Sequence, residues 1–377
     1  GQAALAEALA NRLAAAGKFP HLAELARVEA TALAGSSKQA LDMLERLERA
    51  PALQKALTPF SGLMRKVQAD ALHKLGETRK AHASYVEMHK LDRQGAAQID
   101  AGEYLRVLDV RNRLEIPPMP PSPRHDVVQM LGFPRSGTTL LENALMSHPA
   151  IETFEEVPTL RASVTHIERV LQQKRPWAGS KTDLYVMGRD KYYEEIDRLR
   201  RKAGATLLVD KLPIRTGDAT FIAKLFPEWR YIFSIRHPYD VVLSCFRQRF
   251  APNPAMENFR TIEGGARLYD YVMTQWFGVH GLDNPAVHYV RYDELATDFR
   301  PVMERTLGFL GLPWDETVMD FAAKAEQRAS RTPSYQKVRQ GLSVGVQTYW
   351  RKYDFLWQTP EARPLQKWAE FFGYPTK

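Results

Sequence analysis

The sequence predicts an α/β fold built on a parallel sheet and preceded by an all-α helical domain. Two observations carry this expectation. From Ala3 to about Leu91 the chain is rich in alanine and leucine, with apolar residues at helical spacing, the pattern of packed amphipathic helices. After residue 125 it changes to short apolar runs, each followed by a helical segment, and strand-then-helix alternation builds parallel sheets covered on both faces. Between them lies IPPMPPSP, residues 116–123, whose five prolines cannot donate backbone hydrogen bonds and favour extended geometry. The expected division is a helical domain over 1–115, a proline-rich linker over 116–124 and an α/β domain over 125–377.

A chain of 377 residues has length for a substantial core and for two or three domains. Its formal charge of +8 favours an anionic ligand, although an ordinary surface with a modest basic surplus gives the same total. Charge alone would admit nucleic acid, but the motifs below point to a small anion, and no nucleic-acid partner is expected. Cys245 is the only cysteine, so no intrachain disulfide can form, and a reducing, cytoplasmic setting is the simplest expectation. No apolar run approaches the roughly 18 to 20 residues that span a bilayer, and no signal-peptide pattern opens the chain. The sequence begins at Gly1, and a longer natural N-terminus can precede it.

In the helical region, LAGSSKQALDML sets Gly35 before Ala40, and HKLGETRKAHASY repeats the arrangement with Gly76 and Ala81. The pattern resembles a tetratricopeptide array, in which small alanines let paired helices approach and glycine closes the turn. The glycines are farther apart than the usual period of about 34 residues, so an insertion around PALQKALTPFSG is expected. An ordinary helical domain is the alternative, and either form offers a surface for docking a partner.

In the second region, VVQML (127–131) leads into a glycine loop and LLENALM. TLLVD (206–210) leads to a helix around FIAKLF, and YIFSI (231–235) to YDVVLSCF. VHYV (287–290) leads to ELATDF and MERTLGFL. Ligands of such folds collect at the carboxyl ends of the strands.

The glycine loop lies in LGFPRSGTTLLE, residues 131–142. Gly132 and Gly137 have the spacing of a phosphate-cradling loop, but Thr138 stands where the lysine of G-x-x-x-x-G-K-[ST] belongs. Between a strand and a helix, residues 132–139 can aim backbone N–H groups, the Thr138 and Thr139 hydroxyls and a helix N-terminus at one anion. Arg135 adds a planar, permanently charged fork. The missing lysine, with no aspartate placed as a metal ligand, weighs against an atypical P-loop kinase or NTPase.

PRSGTT, which is Pro134, Arg135, Ser136, Gly137, Thr138 and Thr139, resembles the 5′-phosphosulfate loop of sulfotransferases that use 3′-phosphoadenosine 5′-phosphosulfate (PAPS). IRHPYDVVLS resembles that family's 3′-phosphate motif and implies Arg236 and Ser244 as donor-binding residues. The resemblance runs from residue 127 to about 374. It is nearest to tyrosylprotein sulfotransferases and to bacterial sulfotransferases carrying tetratricopeptide repeats, and it implies a P-loop-like parallel-sheet sulfotransferase domain.

Further roles follow from the same resemblance. SHPAIETFEEVP aligns the catalytic glutamate on Glu156, beside Glu155, to deprotonate an acceptor hydroxyl. DKLP places Lys211 at the bridging oxygen of the donor, where charge builds as the sulfuryl group departs, with Arg135 sharing the role. TPSYQKVRQ implies a catalytic serine at Ser334 but has Gln340 where the tyrosylprotein enzymes have a lysine, leaving Lys337 or Arg339 to compensate. Tyr292 in RYDEL aligns with a tyrosine near the nucleotide, with packing as the alternative. The final FFGY is a family-like ending.

The implied reaction is in-line transfer from PAPS, releasing 3′-phosphoadenosine 5′-phosphate (PAP), without metal or covalent enzyme intermediate. The implied acceptor is a protein or peptide tyrosine, with a glycan or small molecule as the alternative, received by loops within 157–204 and 249–264. A non-catalytic scaffold is the remaining alternative. His148 and His237 precede prolines and no histidine pair has metal-ligand spacing, so no metal site is expected. Animal tyrosylprotein enzymes are membrane-anchored and disulfide-bonded, which this sequence does not resemble, and a cytoplasmic, bacterial type fits better.

Overall fold

The computed structural model describes residues 2–17, 19–94, 98–173, 178–321 and 348–377. The helical region comprises α1 (Gln2–Ala16), α2 (Pro20–Leu33), α3 (Ser37–Arg49), α4 (Pro51–Leu57), α5 (Ser61–Lys74), α6 (Thr78–Gln94) and α7 (Ala101–Asn112). Gly35 and Gly76 close the α2–α3 and α5–α6 turns with left-handed φ of 96° and 81°, a conformation that glycine adopts without a Cβ penalty. Ala40 and Ala81 are fully buried where the paired helices approach. The stretch that separates the two similar motifs folds as α4 and the 3-10 turn Thr58–Phe60.

Beyond the prolines, five strands form one parallel sheet: β1 (Val127–Gly132), β2 (Ile151–Glu155), β3 (Leu207–Lys211), β4 (Arg230–Ile235) and β5 (Val287–Arg291). Their order is β2-β3-β1-β4-β5, with Val128 opposite Val209 and Gly132 opposite Ser234. Because β1 is central and the chain passes from one side of it to the other, the switch in strand order falls at the carboxyl ends of β3, β1 and β4, where ligands bind in sheets of this type.

Side chains alternate across each strand, so β1 feeds two cores. Val128 and Met130 pack with Leu141 and Leu145 of α8 (Thr138–Ser147) and with Met303 and Leu307 of α16 (Phe299–Leu310). Val127 and Leu131 face the larger core. That core is covered by α9 (Arg161–Leu171), α10 (Lys181–Leu199), α11 (Ala219–Leu225), α12 (Pro238–Phe246), α14 (Ile262–His280) and the C-terminal helix Arg363–Phe371. The short helices α13 (Pro254–Glu257) and α15 (Tyr292–Thr297) complete the α-helices among the described residues.

The larger core extends into the helical region: Tyr85 and Met88 of α6 belong to the same buried cluster as Phe246 of α12. Polar contacts follow the same seam. His89 Nε2 lies 2.7 Å from the Phe246 carbonyl, Arg247 Nε donates to Tyr85 Oη at 3.0 Å, and Asn112 Nδ2 donates to the Gly217 carbonyl at 2.8 Å. The first helices keep a separate core around Leu25, Val28, Leu44 and Met64. The proline stretch is fastened to the α/β part, where Arg189 donates to the Pro120 carbonyl at 2.7 Å.

Candidate active site

The glycine loop follows β1 and enters α8, and its shape is set by close backbone approaches. A Cβ at Gly132 would stand 2.6 Å from the Ser234 carbonyl oxygen of β4, so only glycine lets the two strand ends lie this close. Thr216, from the 3-10 turn Pro213–Asp218 after β3, clamps Gly132: its hydroxyl accepts from Gly132 N–H at 3.0 Å and donates to Gly132 O at 2.7 Å. Ser234 donates to the Ser136 carbonyl at 2.8 Å. Beyond it the loop turns left-handed at Arg135 (φ 75°) and Gly137 (φ 100°).

Arg135 is one of two non-glycine residues with positive φ among the described residues, and the other is Glu156 (φ 52°). Such conformations carry strain and cluster at ligand-binding sites. At Arg135 it turns the side chain toward α12, where Nε donates to Ser244 Oγ at 3.1 Å. Arg236, leaving β4, donates to the Arg135 carbonyl at 3.4 Å and lies 4.6 Å over the Tyr292 ring. Burial, together with the neighbouring Arg236 and Arg247, holds the Arg135 guanidinium below its ordinary pKa. Ser136 Oγ and Arg236 Nε are buried without a hydrogen-bond partner among the described residues. Buried donors of this kind are normally satisfied, and an anion in the loop would satisfy them. Thr138 and Thr139 are buried at the start of α8, and the Pro134 carbonyl accepts from Cys245 Sγ at 3.4 Å.

A second cluster adjoins the loop at the ends of β2 and β3. Lys211 is fully buried, and its Nζ lies 3.0 Å from Glu142 Oε2, 3.1 Å from Glu156 Oε1 and 3.7 Å from Glu155 Oε1. Burial pulls the ammonium pKa down, but the carboxylates outweigh it, and the group stays above the ordinary lysine value. Burial pushes the Glu142 carboxyl up to about 7, partly offset by Lys211. The Glu156 backbone N–H donates to the Lys211 carbonyl at 2.8 Å, which turns the chain left-handed and brings its side chain back over Lys211. Beneath them, Arg215 donates to Asp210 Oδ2 and to Thr159 Oγ1, both at 2.6 Å, and Thr159 donates to Asp210 at 2.6 Å. This network ties the segment after Glu156 to the end of β3.

Residues 128–316 match the model of the sulfotransferase family. The chain belongs to that family. Relatives of this sulfotransferase family member include an uncharacterized protein of Aquifex aeolicus, 26% identical over 88% of this chain and 44% of the relative. Protein-tyrosine sulfotransferase 1 of Danio rerio is 24% identical over 50% of this chain and 54% of its own length. The chain therefore spans about half the length of these curated relatives. Among solved structures, the sulfotransferase domain of the Synechococcus PCC 7002 olefin synthase aligns over 70% of this chain and 99% of its own at 18% identity, with a TM-score of 0.46.

The structure thus brings together Pro134, Arg135, Ser136, Gly137, Thr138, Thr139, Arg236, Ser244 and Tyr292 at the loop, and Glu156 and Lys211 beside it. Ser334, Lys337 and Arg339 lie outside the described residues. Among the described residues, no helix is long and apolar enough to cross a membrane. Sequence reasoning overlooked Glu142, Arg215 and Thr216. Glu142 follows Thr138 by four residues, the interval that puts side chains on one helix face, and this was the only signal available for it.

Proposed function

We propose that this chain transfers a sulfuryl group from PAPS to an acceptor hydroxyl, with tyrosine of a protein or peptide as the acceptor. The observation that carries the reading is the bond from Arg135 to Ser244. It brings together, from far apart in sequence, the loop that would hold the 5′-phosphosulfate and the helix that would hold the 3′-phosphate, the group that distinguishes PAPS from ATP. The loop N–H groups, Ser136, Thr138, Thr139 and Arg135 hold the first anion. Arg236 and Ser244 hold the second, and Tyr292 lines the space between. Ser136 Oγ and Arg236 Nε, which have no hydrogen-bond partner among the described residues, support this fit.

When bound, the donor supplies an electrophilic sulfur on a good leaving group. Glu156 accepts the proton of the acceptor O–H as that oxygen bonds to sulfur. Lys211 and Arg135 stabilise the negative charge that builds on the departing phosphate oxygen. Ser334, with Lys337 or Arg339, completes the donor site, and PAP is released.

The likeness to protein-tyrosine sulfotransferase 1 of Danio rerio supports tyrosine as acceptor. The paired helices with Gly35 and Gly76 at their turns support a tetratricopeptide-like region, residues 1–115, that docks the acceptor or another protein. The α/β unit over 125–377 carries the chemistry, and the single cysteine supports a cytoplasmic setting. Calorimetry with PAP and ATP tests the donor, and tight ATP binding with no PAP binding would overturn it. Incubation with [35S]PAPS and panels of tyrosine peptides, glycans and phenols then identifies the acceptor, with labelling of glycans or phenols alone counting against tyrosine.

A further inference from the structure

The proposed reaction uses Lys211 and Glu156 but gives no work to Glu142. Yet Glu142 is the carboxylate nearest the ammonium, at 3.0 Å, and its side chain is 3% exposed. Glu156 is 42% exposed on its left-handed turn and Glu155 is 29% exposed. Glu142 stands on α8, one turn beyond Thr138, so the helix that opens at the anion loop also presents a carboxylate to Lys211. The groups that face it are Lys211 from β3 and Glu155 and Thr153 from β2, and the same ammonium also contacts Glu156 at 3.1 Å.

A buried ammonium without a carboxylate is costly, so Lys211 needs a partner at every stage of the cycle. Glu156 cannot be that partner once it takes the acceptor's proton, because it is then a neutral acid. Glu155 is farther from the ammonium and partly in solvent. Glu142, closed in by α8, β2 and β3, stands 3.0 Å from Lys211 and is almost wholly shielded from solvent.

We propose that Glu142 is a positioning residue for sulfuryl transfer, keeping the Lys211 ammonium charged and aimed at the donor while Glu156 leaves it to act as base. The inference rests on the roles proposed above for Glu156 and Lys211. Protonation of Glu142 removes the reserve partner and leaves Glu156 paired to Lys211. The acid limb of kcat therefore belongs to Glu142, and burial places that group near neutrality.

The test compares wild type with Glu142→Gln and Glu142→Asp, using [35S]PAPS and p-nitrophenol. In Glu142→Gln, kcat should fall about tenfold or more while KM for PAPS and calorimetric PAP affinity stay within about threefold, a split that a merely structural residue would not produce. The acid limb near neutrality should disappear, and Glu142→Asp should recover part of the rate. A crystal structure of wild type with PAP and p-nitrophenol decides the matter even if the phenol reacts poorly: Lys211 Nζ should remain within about 3.2 Å of Glu142 and part from Glu156, which turns to the phenol oxygen. Wild-type kcat and acid limb in Glu142→Gln, joint loss of PAP binding and turnover, or a PAP complex in which Lys211 keeps Glu156 and leaves Glu142 would each overturn the proposal. Failure of wild type to bind PAP is a different result and removes the donor reading itself.

Discussion

Tyr292 packs against Gly137 so closely that a Cβ at position 137 would lie 2.3 Å from Tyr292 Cδ2. The φ of 100° at Gly137 adds backbone strain for any other residue. Gly137→Ala is therefore expected to deform the loop at the entrance to α8. PAP affinity measured by calorimetry should drop by about tenfold or more, the order expected from losing one or two charge-assisted hydrogen bonds. An unchanged affinity would mean that the loop does not hold the donor.

Glu156 and Lys211 should separate chemistry from binding. Glu156→Gln keeps the shape and removes the base, so kcat is expected to fall by about 10²–10⁴-fold with PAP affinity little changed. Lys211→Met should reduce turnover comparably and also strip Glu142, Glu155 and Glu156 of their shared counter-ion, a further cost in stability. Rapid-quench measurement of [35S]sulfate transfer, with thermal denaturation to verify folding, checks both variants. A Glu156→Gln enzyme with wild-type turnover would transfer the assignment to Glu155.

The Asp210–Arg215 pair is almost wholly inaccessible. Removing one partner strands a buried charge, a change that costs about 3–5 kcal/mol. Arg215→Met should lower the urea-unfolding free energy by that order. A milder Thr159→Val should leave more stability but reduce turnover, because Thr159 ties the segment after Glu156 to β3. Equilibrium unfolding and kcat measured on the same preparations distinguish the two effects.

Acid should destabilise the fold before most carboxylates titrate. Burial pushes His89, His237, His280 and His288 down to about 4 from an ordinary 6.5. The unfolded chain thus binds more protons than the folded one between these values. Stability present above pH 6.5 is lost as the pH falls toward 4. Glu142, raised to about 7 from 4.5, and Asp218, also raised by burial, act with the opposite sign, but these two carboxyls oppose five imidazoles, because burial lowers His82 as well. Thermal midpoints across this range should fall with pH, and His89→Gln, which can still donate to the Phe246 carbonyl, should flatten the slope. A midpoint that rises on acidification would contradict this account.

Much of the α/β region was legible because its chemistry is local. Strands β1, β3, β4 and β5 are apolar runs followed by helices, and the loop declares itself in six consecutive residues. β2 was not singled out by the same reasoning, because IETFE places Glu152 and Glu155 within a strand. The fold accommodates Glu152 by accepting from the backbone N–H groups of Arg201 and Lys202 at 2.7 and 3.1 Å, partners remote in sequence. Glu142 was hidden for a related reason. Within LLENALM it reads as a polar residue on a helix surface, and only the pairing of β3 beside β1 brings Lys211 to it. Arg215 and Thr216 are similarly undistinguished until the turn after β3 folds under the loop.

The buried cluster that joins Tyr85 and Met88 to Phe246 bears on how this chain can be divided in the laboratory. A fragment beginning after the prolines would strip the covering from α12, the helix that carries Ser244, and would leave Arg247 without Tyr85. Trimming between α4 and α5 instead would remove the separate core of the first helices while sparing that seam, although it would bare Met64 and Val67 of α5. The minimal active fragment should therefore begin near Ser61.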